Sequence, residues 1–227
     1  MSRVVQWQAP SLAVRGQPAF PVRHAWCVGR NYAEHAREMG VDSSSSRPVF
    51  FAKPARAVHG HPRVSFPAET QSLHHEVELV VLLADGGRHV PAMAWAERIH
   101  AYAVGVDLTR RDVQDRLKKA GQPWEISKGF DQSGPVGVAV LASEWEPSAD
   151  HLISLQVNGV VRQQAELGTM IWSVPALLER LSAEFTLQAG DVVFTGTPAG
   201  VGSLNPGDRV LARVDGLPDL EFHLDTT

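Results

Sequence analysis

The sequence predicts a β-rich α+β fold in a single domain, on three observations. Short apolar runs closed by Gly, Pro and Asp recur along the whole chain, as strands joined by turns do. Helical patterning is confined to about four short segments. No repeat and no shift of composition divides the 227 residues, so residues 1–20 read as an amino-terminal arm and residues 21–227 as one domain. Hydrophobic content of 44% and charged content of 20% are those of an ordinary globular protein. A net charge of −4 gives no sign of a nucleic-acid surface, and no apolar run reaches the ~20 residues that span a bilayer. The single cysteine, Cys27, excludes an internal disulfide and a cysteine-rich zinc site. The first residues lack a signal-peptide core, so a cytoplasmic protein with no membrane partner is the expectation.

Taken in order, residues 25–28 form a short apolar strand ending at Gly29. Residues 31–40 are helix formers between an Asn that can cap and a Gly that can stop. On that helix His35 and Glu38 stand at i and i+3, on one face. Such a pair can hold an imidazole in one tautomer, although spacing alone favours a solvated pair. Residues 41–47 are small and polar, either a mobile loop that makes the preceding His35/Glu38 helix a candidate lid or an inert surface loop. Residues 49–52 make a buried strand closed by Lys53-Pro54.

Residues 73–83, L-H-H-E-V-E-L-V-V-L-L, read as one long buried strand. Glu76 and Glu78 then share a face that Val80 and Leu82 continue as apolar, with Val77, Leu79 and Val81 opposite. Two like charges at the mouth of a core repel and resist desolvation, and a divalent cation removes both problems. The bland alternative is an exposed E-x-E. Residues 92–100 have helical composition, and residues 101–107 form an apolar strand ended by an acid. Asp107 is the candidate third ligand, or the N-cap of the next helix. Residues 109–120 form that amphipathic helix, with Val113 and Leu117 inside and Gly121 as its stop. Lys128 sits in aromatic, apolar surroundings where a buried ammonium needs an anion, yet most lysines are solvated. Residues 152–157 and 160–164 flank Asn158-Gly159 as a hairpin. Residues 173–181 are a helix with a Ser cap and an early Pro, and residues 192–195 and 210–214 are strands. The Gly/Thr stretch 195–202 can offer N–H groups and hydroxyls to a carboxylate, but it is no P-loop.

These pieces together resemble the fumarylacetoacetate hydrolase family, from Cys27 to about Val214. The resemblance is carried by C-V-G-R-N-Y-A-E-H-A-R-E-M, F-x-K-P, L-H-H-E-V-E-L, G-V-D-L-T-R-R-D-V-Q, P-W-E-I-S-K, V-N-G and F-T-G-T-P-x-G-V-G. It implies a mixed β-sandwich or β-roll with flanking short helices, usually a homodimer. It also implies Mg²⁺ or Mn²⁺ held by Glu76, Glu78 and Asp107. By the same resemblance, His35 and Glu38 form a water-activating dyad on a lid helix, and Lys128 is the active-site lysine. Arg30, Arg111, Gln114 and Thr197 fall at substrate-contacting positions. The likeness is nearest to short bacterial acylpyruvate and fumarylpyruvate hydrolases. It therefore implies hydrolytic cleavage of a carbon–carbon bond in 2,4-dioxo acids during the catabolism of aromatic compounds. Oxaloacetate decarboxylation or tautomerisation, and 2-hydroxyhepta-2,4-diene-1,7-dioate isomerisation, are alternatives within the family. A non-catalytic, metal-stabilised binding domain is the alternative outside it.

Overall fold

The computed structural model describes residues 7–38 and 47–225. Two sheets dominate. A six-stranded mixed sheet runs in the order Val140–Leu141, Ile99–Val106, Val77–Leu83, Asp191–Phe194, His24–Gly29, Val49–Lys53. A five-stranded sheet runs Val160–Glu166, Leu152–Val157, Arg209–Val214, Leu220–Asp225, Arg63–Ser65. The three α-helices among the described residues are α1 (Ala33–Glu38), α2 (Arg111–Lys119) and α3 (Val174–Glu184). This is the β-rich α+β architecture that the short apolar runs predict.

Alternation along the central strand fixes the layering. Val77, Leu79, Val81 and Leu83 enter the core that also takes Leu155, Val157, Val210, Ala212 and Phe222 from the five-stranded sheet. Val80 and Leu82 point the other way, into a second core with Ala101, Ala103, Leu12, Val14 and Phe20. The last three come from the amino-terminal hairpin Ser11–Val14/Gln17–Pro21, which covers that face. The central strand is therefore buried on both sides, which explains its continuous apolar run.

Local chemistry sets the boundaries. Asn158 and Gly159 both take positive φ, 52° and 80°, as a two-residue type I′ hairpin turn requires. Helix α2 ends in a Schellman arrangement: Gly121 at φ 65° donates to Lys118 O, and Gln122 N–H returns to Leu117 O at 2.9 Å. Ser173 occupies the N-cap position of α3, but its hydroxyl makes no capping bond.

Three local expectations are corrected. Residues 73–83 are not one strand: Leu73–His75 pairs with Thr109–Arg110 and Gly202–Leu204 in a separate three-stranded sheet. Residues 92–100 are two 3₁₀ turns, Ala92–Ala94 and Ala96–Arg98, followed by strand from Ile99. Pairing of Ile99 with Leu83, and a bond from the buried Trp95 indole to Val90 O at 3.2 Å, outweigh helical composition there. Asn31 does not cap α1. Its amide is buried, donating to Thr195 O at 2.7 Å and Trp172 O at 3.0 Å and accepting from Trp172 N–H at 2.8 Å. The end of the expected first helix, residues 39–40, and residues 41–46 of the expected loop lie outside the described residues. No helix among the described residues is long and apolar enough to cross a membrane.

Candidate active site

Glu76 is the single residue between Leu73–His75 and Val77–Leu83, at the point where the chain passes from one sheet to another. Val77–Leu83 pairs with Ile99–Val106, with Val77 opposite Val106 and Glu78 opposite Gly105. The ladder continues for one more bond, from Asp107 N–H to Glu76 O at 2.8 Å. That register brings three acids together: one carboxylate oxygen from each of Glu76, Glu78 and Asp107 lies within 4.8 Å of the others, all buried. Asp107 does not cap a helix, because α2 begins only at Arg111.

Three cations surround the acids. Lys128 Nζ bridges Glu76 Oε2 at 2.8 Å and Asp107 Oδ2 at 2.7 Å. Lys53 Nζ meets Asp107 Oδ1 at 2.7 Å, and Arg111 grips Glu76 Oε1 while bonding Gln114 Oε1 at 2.6 Å. Burial alone would raise the Glu76 carboxyl, but Lys128, Arg111 and His35 outweigh it and hold it well below the usual carboxylate range. Lys128 is likewise held above its ordinary value: desolvation opposes the charge, and Asp107 and Glu76 overcome it. Glu78 differs. Among the described residues it has no cation partner; its donor is Gly196 N–H at 2.6 Å. Burial, with Asp107 and Glu76 close by, pushes its carboxyl well up. An acid left without a counter-charge beside two that lysines and Arg111 already engage is a place for an added cation. The all-oxygen donor set suits a hard divalent ion such as Mg²⁺ or Mn²⁺.

Of the three acids, Glu76 lines a cavity of about 270 Å³, together with Arg30, His35, Arg111, Gln114 and Lys128. Gly29, Val49, Phe51, Lys118 and Trp124 complete its wall. Arg30 enters with φ 65°, a left-handed conformation that costs a non-glycine residue roughly 1 kcal/mol. His35 projects from α1 and is buried, and its Nδ1 has no hydrogen-bond partner among the described residues. Burial pushes its imidazole below the ordinary value, against the pull of Glu76 and Glu38. Glu38 Oε2 stands 3.6 Å from His35 Nδ1, beyond a hydrogen bond, and its side chain is 48% exposed. Its oxygens instead accept Gly200 N–H at 3.2 and 3.3 Å, tying α1 to the threonine loop. Thr197, on that loop, is buried and next in sequence to the Gly196 that bonds Glu78. All ten residues singled out in the sequence thus converge on one region. A larger cavity of about 660 Å³, lined by Tyr102, Leu167, Met170 and Pro175, contains none of them. Chemistry rather than volume selects the smaller one.

Two residues escape the sequence reading. Lys53 closes an apolar strand and is fully buried; the signal was a lysine at the end of F-F-A-K-P, where a solvated side chain has nowhere to go. Gln163, also buried, sits on a hairpin strand whose neighbours Val161, Arg162 and Gln164 are exposed, so nothing in the pattern marks it. Because Lys53 neutralises a buried acid, Lys53→Met should destabilise the metal-free protein by roughly 3 kcal/mol or more. Urea unfolding of the metal-free protein measures this, and a loss under ~1 kcal/mol would mean Lys128 suffices for Asp107.

Residues 24–225 match the family described as fumarylacetoacetate (FAA) hydrolase C-terminal. A solved structure of a fumarylpyruvate hydrolase from Pseudomonas aeruginosa, in complex with Mn²⁺ and pyruvate, shares 43% identity, with a TM-score of 0.96 and 100% coverage of both chains. The oxaloacetate tautomerase of Escherichia coli is 43% identical over 87% of this chain and 90% of its own length. A 5-carboxymethyl-2-hydroxymuconate delta-isomerase from Mycobacterium smegmatis is 34% identical, with a TM-score of 0.80, covering 96% of this chain and 79% of that one.

Proposed function

The chain belongs to the fumarylacetoacetate hydrolase family, and on that premise we propose that it hydrolyses a carbon–carbon bond in acylpyruvates, releasing pyruvate and a carboxylic acid. The observation that carries the reading is a buried imidazole, His35, whose Nδ1 bonds no described residue and which shares a cavity with Glu76 and Lys128. Similarity to a fumarylpyruvate hydrolase seen with Mn²⁺ and pyruvate supports the substrate class.

Glu76, Glu78 and Asp107 would hold the divalent ion, which when bound supplies Lewis-acid stabilisation of charge developing on the 2-oxo group. Thr197 and Arg30 receive the carboxylate of the pyruvoyl end. Neutral His35 takes a proton from water as the water oxygen attacks the acyl carbonyl. Glu38, its carboxylate 3.6 Å from Nδ1, favours the imidazolium so formed. The bond between the acyl carbon and the methylene then breaks. Its electron pair passes to the methylene as pyruvate enolate, and a proton returned to that carbon gives pyruvate. Lys128, kept charged between two acids, contributes positive potential to the enolate oxygen.

The working form of His35 is neutral, and burial lowers its folded-state value. Its activity should therefore persist through neutral pH and fall only as pH drops through a value below 6.5. A bound cation shifts the limb in the same direction. The kcat/KM profile measures it; an acidic limb centred above 6.5 would show that the acids, not burial, control this imidazole.

Tautomerisation of oxaloacetate is a second reading, favoured by the 43% identity to the Escherichia coli enzyme. It needs proton transfer but no water. Loss of enol absorbance from a panel of 2,4-dioxo acids and from oxaloacetate, with metal and with chelator, separates the two: pyruvate release from the former marks hydrolysis.

A further inference from the structure

Gln163 lies on the Val160–Glu166 strand, at the outer edge of the five-stranded sheet, and is 1% exposed. The ladder with Leu152–Val157 shifts register here: Leu155 faces Gln163, but Gln156 faces Val161, leaving Arg162 as the extra residue of a bulge. The threonine loop seats directly on that bulge. A Cβ at Gly200 would lie 2.1 Å from Arg162 O, so only glycine, at φ 92°, allows the approach.

The Gln163 amide uses both ends. Oε1 accepts Val77 N–H at 3.1 Å and faces His75 Nδ1 at 2.8 Å. Nε2 donates to Pro198 O and to Thr197 Oγ1, each at 2.8 Å. The orientation is unambiguous, because a backbone N–H can only donate and a carbonyl can only accept. Donor and acceptor counting has two consequences. His75 must carry its proton on Nδ1. Thr197 Oγ1, already accepting from Gln163, has its own proton left to give, and no described residue takes it.

We propose that Gln163 is a positioning residue: it joins residues 75–77, which flank Glu76, to the threonine loop, and it aims the Thr197 hydroxyl as a donor toward the carboxylate of a 2-oxo acid. This rests on the proposed function, which places that carboxylate at Thr197. Without Gln163 the Thr197 hydroxyl is no longer held by Nε2 and is free to turn its proton away from the ligand. A carboxylate contact of this kind is the same in ground state and transition state, so its loss raises KM and leaves kcat in place.

The test is pyruvate binding by calorimetry to the Mn²⁺-loaded protein, for wild type, Thr197→Val, Gln163→Met and the double variant. Thr197→Val should weaken pyruvate about tenfold or more, as expected for a bond to a charged acceptor, and Gln163→Met about three- to tenfold. The double variant should be within about twofold of Thr197→Val, because Gln163 acts through the hydroxyl. On an acylpyruvate, Gln163→Met should raise KM with kcat held. Gln163→Glu guards against a variant that fails to fold: it keeps an acceptor for Val77 and His75 and replaces the donor end with a second oxygen facing Pro198 O and Thr197 Oγ1, and it should weaken pyruvate at least as much. Nitrogen NMR of the metal-free wild type should show His75 as the Nδ1–H tautomer. Additive losses in the double variant, unchanged pyruvate affinity in either Gln163 variant or in Thr197→Val, or the opposite His75 tautomer would each overturn the inference. Wild type that binds no pyruvate would instead overturn the proposed function, while the tautomer still reports on the network.

Discussion

His35→Ala should lower the rate of acylpyruvate cleavage by about three orders of magnitude, within the usual range for removing a general base, and leave Mn²⁺ binding within about twofold. The asymmetry follows from placement. His35 reaches the cavity from α1, whereas the three acids lie at the ends of the paired strands Val77–Leu83 and Ile99–Val106. Its Nδ1 bonds no described residue, so truncation leaves no orphaned partner there and disturbs the acids little. Activity measured beside Mn²⁺ titration by electron paramagnetic resonance gives both numbers on one sample. If the variant kept full turnover, the base would have to be sought elsewhere in the cavity.

Glu76→Ala should lose both properties. Changes to residues that only support metal ligands already cost about 10–100-fold in affinity, so removing a ligand should cost at least about a hundredfold, and turnover should fall to background. A further loss lies in the cations. Glu76 is the only described partner of the Arg111 guanidinium besides Gln114, and one of two carboxylates on Lys128. Deleting it leaves Lys128 on Asp107 alone and frees Arg111 to move into the cavity. Mn²⁺ affinity within about threefold of wild type would show that Glu78 and Asp107 form the site without it. The contrast between the two variants, one losing chemistry alone and one losing chemistry and metal, is what a base above a metal-binding floor requires.

The sheets were largely legible in the sequence because their strands are short apolar runs ended by Gly, Pro or Asp, and period-two alternation sorted Val77, Leu79 and Val81 from Val80 and Leu82. The Asn158-Gly159 hairpin was legible because only that turn type takes two positive φ values in succession. Residues 92–100 were misread because propensity is a weak prior: pairing of Ile99 with Leu83 is a long-range fact that composition does not carry. The acid pair was visible from spacing, but the break at Glu76 was not, since it rests on long-range pairing of Leu73–His75 with Thr109–Arg110 and Gly202–Leu204, which a three-residue segment does not announce. Charge balance was the least legible part. Sequence suggested one lysine against three acids; the structure sets Lys53, Lys128 and Arg111 around them, and Lys53 comes from a strand at the far edge of the six-stranded sheet. Gln163 left no trace, because a lone buried amide on an exposed edge strand has no periodic signature.

Whether this chain joins water to an acylpyruvate and splits it is decided by product stoichiometry. Fumarylpyruvate and oxaloacetate are each followed with Mn²⁺ or Mg²⁺ and again after chelation. One pyruvate and one fumarate should appear per fumarylpyruvate consumed, dependent on the metal and absent in His35→Ala. Hydrolysis would be ruled out if fumarylpyruvate and shorter acylpyruvates stayed intact while the oxaloacetate enol was converted to ketone.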